Sequence, residues 1–107
     1  MKANDVIDEL QEYCFNDKET IKYKKDMFAD YQTEFLDGWI EIIINQYIRD
    51  DSYEVYLNIK TKDKIACPLL YKRFNNVMDA KMYHNELKNL IENNDEKFIV
   101  NRCKIRD

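Results

Sequence analysis

The sequence predicts an α+β fold, a small antiparallel sheet with helices in the order α-α-β-β-β-α-β. Three observations carry this. Apolar residues recur at helical spacing up to Leu36, the period drops to two from Trp39 to Ile59, and a helical stripe returns after Asn76. The 107 residues bound one domain, 1–107, with a single core. Apolar residues make up 45% and charged residues 36%, the balance of an ordered chain, and one Gly and one Pro leave little linker.

The first helix is placed by Asn4 as cap, with Asp5, Asp8 and Glu9 in the opening turn and Val6, Ile7, Leu10, Tyr13 and Cys14 as its stripe. Asn16 followed by Glu19 reads as a capping box. After it, Ile21, Tyr23, Met27, Phe28, Tyr31 and Phe35 fall in one arc, giving a helix over Asp17 to Leu36. Asp37-Gly38 is also a hairpin signal. The helical arc favours reading Gly38 as the left-handed residue that ends that helix.

From Trp39 the strand period holds. Ile40, Ile42, Ile44 and Ile48 share one face, and Trp39, Glu41, Ile43, Asn45 and Tyr47 share the other. The next strand sets Tyr53, Val55, Leu57 and Ile59 inward and Glu54, Tyr56, Asn58 and Lys60 outward. Pairing Ile48 with Tyr53 across an Arg49-to-Ser52 loop puts Ile44 opposite Leu57 and Ile42 opposite Ile59, with both inner faces in agreement. A third strand spans Ile65 to Arg73. Its inward set is Ile65, Cys67, Leu69 and Tyr71 with a three-residue loop, or Ala66 and Leu70 with a two-residue loop. Pro68, lacking an N–H, requires an edge or a bulge. Asn76, with Asp79 three residues on, caps a helix striped by Val77, Ala80, Tyr83, Leu87, Leu90 and Ile91. Asn93-Asn94-Asp95 ends it, and Phe98 to Ile105 reads as a last strand.

No reaction is indicated. There is no glycine-rich phosphate loop, nucleophile elbow, His-Glu-x-x-His or Cys-x-x-Cys. His84, the only histidine, lies at the rim of an apolar stripe and reads as a packed residue. Cys14, Cys67 and Cys103 are odd in number, widely spaced and set among apolar positions. They read as free thiols of a reducing cytosol rather than zinc ligands. The chain is therefore expected to be non-enzymatic, without metal or cofactor. With no apolar leader and no span of membrane length, it is expected to be cytoplasmic.

The net charge of −4 is unevenly spread. Residues 1–54 carry fourteen acidic and six basic side chains; residues 55–107 carry seven and eleven. The acidic half supplies a candidate partner surface, Asp26, Asp30, Glu34 and Asp37, beside an aromatic group of Trp39, Tyr47 and Tyr56. Such a surface would steer the chain onto a basic, nucleic-acid-binding groove of another protein. The competing site is basic: Lys60, Lys62, Lys64, Lys72 and Arg73, which would bind nucleic acid directly. A homodimer through the Trp39 face is compatible with either.

Two resemblances bear on these choices. The order helix, three-stranded meander, helix resembles the double-stranded RNA-binding domain and implies shape-based RNA binding. Where that family has a lysine cluster at the start of its last helix, this chain has Asn75-Asn76-Val77-Met78-Asp79. In general character, a short chain rich in Asn, Lys, Ile, Tyr and Asp and acidic over half its length, it resembles small bacteriophage and mobile-element proteins, including anti-CRISPR proteins. That resemblance implies a stoichiometric inhibitor docking on a host nucleic-acid-handling complex.

Overall fold

The computed structural model describes residues 1–14, 30–47, 50–68 and 70–105. Helix α1 (Ala3–Leu10) runs into a 3₁₀ turn, Gln11–Tyr13. Strands β1 (Asp30–Phe35), β2 (Gly38–Gln46), β3 (Tyr53–Lys60), β4 (Ile65–Ala66) and β5 (Tyr71–Phe74) follow, then helices α2 (Val77–Glu92) and α3 (Glu96–Cys103). The sheet is antiparallel throughout, ordered β1-β2-β3-β4, with β5 pairing the same edge of β3 as β4 does.

The inner face is the one expected. Ile40, Ile42 and Ile44 of β2 and Val55, Leu57 and Ile59 of β3 are completely buried. All three helices contribute to the cluster that holds them: Val6, Ile7 and Leu10 from α1, Ala80, Tyr83, Leu87 and Ile91 from α2, and Ile99, Val100 and Cys103 from α3. His84 is buried on α2.

Several assignments are corrected. The helix expected over Asp17 to Leu36 gives way at its C-terminal end to strand β1, which pairs with β2 from Asp30↔Ile43 to Phe35↔Gly38. Residues 15–29, including the Asn16/Glu19 capping box, lie outside the described residues. Tyr31 and Phe35 are four apart and share a face at period two as well as at 3.6, so the apolar arc did not separate helix from strand. Leu36 and Asp37 form a two-residue hairpin turn, and the left-handed residue is Leu36 (φ 55°), not Gly38. The last strand, expected from Phe98 to Ile105, is helix α3. Asp95, read as the end of α2, is its N-cap, accepting the Phe98 N–H at 2.8 Å. Asn4 does not cap α1: Lys2 holds the N-cap position, and the Asn4 carboxamide oxygen accepts from the Thr61 hydroxyl at 2.7 Å. The Asn76 cap of α2 is as expected, accepting the Asp79 N–H at 2.9 Å.

The β2–β3 register is shifted by two residues from the expected one. Ile42 faces Leu57 and Ile44 faces Val55, and the Tyr47 N–H donates to the Ser52 carbonyl at 2.9 Å. A two-residue slip preserves every face, so alternation cannot detect it. The loop decides. Asp50 accepts from the Ser52 N–H (3.0 Å) and hydroxyl (2.7 Å), and Asp51 adopts φ 54°. Ile48 lies outside the described residues.

After β3, Thr61 donates to the Lys64 carbonyl at 2.9 Å, closing a two-residue loop that turns Ala66 and Leu70 inward and leaves Ile65 exposed. The single strand expected from Ile65 to Arg73 is two short strands, β4 and β5, whose registers against β3 differ by two residues (Ile59↔Ala66, Tyr56↔Tyr71). Pro68 itself is buried and bridges to Cys14.

Candidate functional site

The seven acidic and aromatic candidates separate. Asp26 and the side chain of Asp30 lie outside the described residues. Asp37 is committed to the fold: its Oδ1 accepts the Ala3 N–H at 2.6 Å, capping α1 from the β1–β2 turn. That hydrogen bond holds the Asp37 carboxyl below its ordinary range. Glu34 is exposed and sits directly across from Trp39.

Trp39, Tyr47 and Tyr56 all lie on the outer sheet face, as expected, but two of them are tied into a polar ladder there. The Tyr56 hydroxyl accepts from Asn45 Nδ2 at 2.9 Å. Tyr47 and Tyr71 both donate to Glu54 Oε2, Tyr71 at 2.8 Å, and the Arg73 guanidinium stacks 4.1 Å from the centre of the Tyr47 ring. Burial and the Glu54 carboxylate together push the Tyr71 hydroxyl up to about 12. Further along, Glu41 accepts from Asn58 at 3.1 Å and pairs with Lys60 at 2.9 Å. Tyr47, Asn45, Glu54 and Asn58 are all buried, so the middle of this face is a packed polar layer rather than an open aromatic patch. Trp39 and Tyr56 are half-buried.

The basic candidates do not converge. Lys72 lies opposite Val55 on the inner face, its ammonium 4.8 Å from the Tyr83 ring centre, while Arg73 lies opposite Glu54 on the outer face. Lys64 pairs with Asp8 of α1 at 2.7 Å and Lys60 with Glu41; Lys62 is exposed at the loop tip.

What the fold does assemble is an acidic cleft. It lies between β1 and the corner joining α2 to α3, has a volume of about 180 Å³, and is lined by Tyr31, Thr33, Glu34 and Phe35 on the strand side. Ile91, Glu92, Asn94, Asp95, Glu96 and Ile99 line it on the helical side. Phe35, Ile91 and Ile99 are buried core residues and give it an apolar floor, whereas Glu92, Asp95 and Glu96 are exposed; Glu34 alternates with Thr33 and Phe35 and shares the outer face of Trp39. The Tyr31 hydroxyl donates to Glu92 Oε1 at 3.2 Å, spanning the cleft, and its pKa is raised by burial and by that carboxylate.

None of these three helical carboxylates is among the residues the sequence singles out. Glu92, Asp95 and Glu96 are more than fifty residues from β1 and meet it only through tertiary packing. The usable signal was local: Asp95-Glu96 after Asn93-Asn94 opens a new helix. Reading it so gives a helix–helix corner crowded with carboxylates.

Among the described residues, no group of three His, Cys, Asp or Glu side chains is placed to hold a metal ion, and no helix is long and apolar enough to cross a membrane. No protein-family model, curated protein or solved structure matches this chain.

Proposed function

We propose that this chain is a non-enzymatic inhibitor of the anti-defence kind, similar in role to anti-CRISPR proteins. It docks stoichiometrically through an acidic surface on a basic groove of a host nucleic-acid-handling complex. The observation that supports this reading is the convergence of Glu92, Asp95 and Glu96 around one concave site. Three exposed carboxylates beside an apolar floor offer both long-range attraction to a basic surface and a place for it to settle. The rival reading, direct nucleic-acid binding, requires a continuous basic surface, whereas Lys72 and Arg73 lie on opposite faces and Lys60 and Lys64 are paired with Glu41 and Asp8.

The test is an affinity pull-down of tagged protein from a bacterial lysate containing a CRISPR effector, with and without nuclease, read by mass spectrometry. A specific nucleic-acid-handling protein recovered after nuclease treatment is the expected result. Recovery dominated by nucleic acid and lost with nuclease would favour the basic residues and end the inhibitor reading.

A further inference from the structure

Helix α2 buries Ala80, Tyr83, His84, Leu87 and Ile91 along one face. At about 3.6 residues per turn, Met78, Met82, Asn85 and Asn89 fall on the face directly opposite. All four are exposed, the two methionines at 65% and 61%, so this stripe points away from the core into solvent. Methionine's flexible, polarizable side chain suits a contact surface.

The stripe repeats at intervals of four, three and four residues, the d-a-d-a spacing of a heptad, and its flanks follow the same repeat. Asp79 and Glu86 take the e positions, and Lys81 and Lys88 take the g positions. When two such helices lie parallel and in register, g of one meets e of the following heptad on the other. Lys81 then meets Glu86 twice, once on each side of the pair. In an antiparallel pair g meets g and e meets e, which sets lysine against lysine and carboxylate against carboxylate. Charge complementarity therefore selects a second copy of α2, and selects its direction. Asn89, at an a position, meets its own copy in the parallel pair, where the two carboxamides can hydrogen-bond.

The charges this pairing uses are free to make it. The Asp79 carboxylate is engaged by Asn76, and the Lys88 ammonium lies 5.5 Å from the Tyr31 ring centre. Lys81 and Glu86 are both exposed, and among the described residues neither has an ion-pair partner.

We propose that this chain self-associates through α2 as a parallel, two-fold symmetric pair, with Met78 and Met82 in the seam and Lys81–Glu86 contacts on both flanks. The helix has 16 residues, little more than two heptads, and half of its seam is polar. The dimer is accordingly weak and concentration-dependent. It stands apart from the inhibitor reading, since the α2 stripe takes no part in the acidic cleft.

The test is sedimentation equilibrium of the full chain at concentrations up to about 1 mM. A monomer–dimer equilibrium is expected, weakened about tenfold or more by Met78→Glu/Met82→Glu. Lys81→Glu and Glu86→Lys should each weaken it about threefold or more. An equimolar mixture of those two single variants should recover it, because the mixed pair again sets opposite charges together on both flanks. If circular dichroism shows the double methionine variant unfolded, Met78→Gln/Met82→Gln replaces it. A wild type that stays monomeric throughout overturns the proposal. Undiminished association of the methionine variant assigns the dimer to another surface and also overturns it. Single charge variants that associate like the wild type, or a mixture no stronger than either alone, overturn the parallel pairing.

Discussion

At Gly38 the start of β2 runs so close to the end of β3 that a Cβ would lie 2.6 Å from the Lys60 carbonyl oxygen, 3.0 Å from the Ala3 Cβ and 3.1 Å from Thr61 Cγ2. The glycine is needed for this approach and not for handedness, since the positive φ of the turn belongs to Leu36. Gly38→Ala must therefore push apart a paired backbone. An overpacking cost of about 1–3 kcal/mol is expected, read as a lower urea midpoint with unchanged m-value. Asp37, next door, caps α1 through the Ala3 N–H, and its carboxyl pKa is lowered by that bond. A lowered folded-state pKa means stabilisation that is present above the ordinary carboxylate range and lost as pH falls through the folded value. Asp37→Asn should thus lower the thermal midpoint at pH 7, and the gap to the wild type should close as pH falls below roughly 4. A gap that persists unchanged at low pH would refute a role for the Asp37 charge. Both residues drew attention in the sequence because of the Asp-Gly pair. Their roles stayed hidden because Ala3 and Lys60 are distant in sequence.

Among the elements, those with a single consistent period were legible and those with two were not. β2 and β3 alternate over eight or nine residues each, and their inner isoleucines, valine and leucine were placed correctly. α2 combines a capped start with a stripe of Ala80, Tyr83, Leu87 and Ile91, all buried. β1 failed because Tyr31 and Phe35 satisfy both periods. The segment expected as a strand from Phe98 to Ile105 is α3, and Ile99, Val100 and Cys103 share a face only in a helix. The Asn76 cap guided the reading of α2, whereas the Asp95 cap of α3 was taken for the end of α2. Asn76 not only accepts the Asp79 N–H but also donates from Nδ2 to the Asp79 carboxylate at 2.9 Å, a reciprocal box at the start of the longest helix. Asn76→Ala should cost about 0.5–2 kcal/mol in denaturant titration, and Asn76→Ser or Asn76→Asp should recover most of it. Equal loss in all three would show that the side chain packs rather than caps.

Across the molecule, the charge asymmetry of the sequence is folded into contacts between the two halves. Lys60, Lys64 and Lys104 from the basic half pair with Glu41, Asp8 and Glu9 from the acidic half. Such surface pairs contribute only about 0–1 kcal/mol each, so global stability rests on the shared apolar cluster. Cys103 of α3 sits completely buried in that cluster, and burial pushes its thiol up to about 12. Cys14 and Cys67 are half-buried, and burial raises their thiols as well. A thiol whose pKa is raised by folding favours the folded state below its unfolded value, near about 8.5, and loses that advantage as pH rises toward the folded value. Stability should therefore begin to fall above that pH. Cys103→Ala should flatten this alkaline limb while lowering stability at neutral pH through lost packing. In the wild type at pH 8, an aromatic disulfide reagent should reach Cys14 and Cys67 first. Cys103 should react only through global unfolding, at a rate that rises with urea in step with the unfolded fraction. Reaction of Cys103 as fast as Cys14 would mean that α3 opens alone. The helical wall of the acidic cleft would then be the least stable part of the fold rather than an extension of its core.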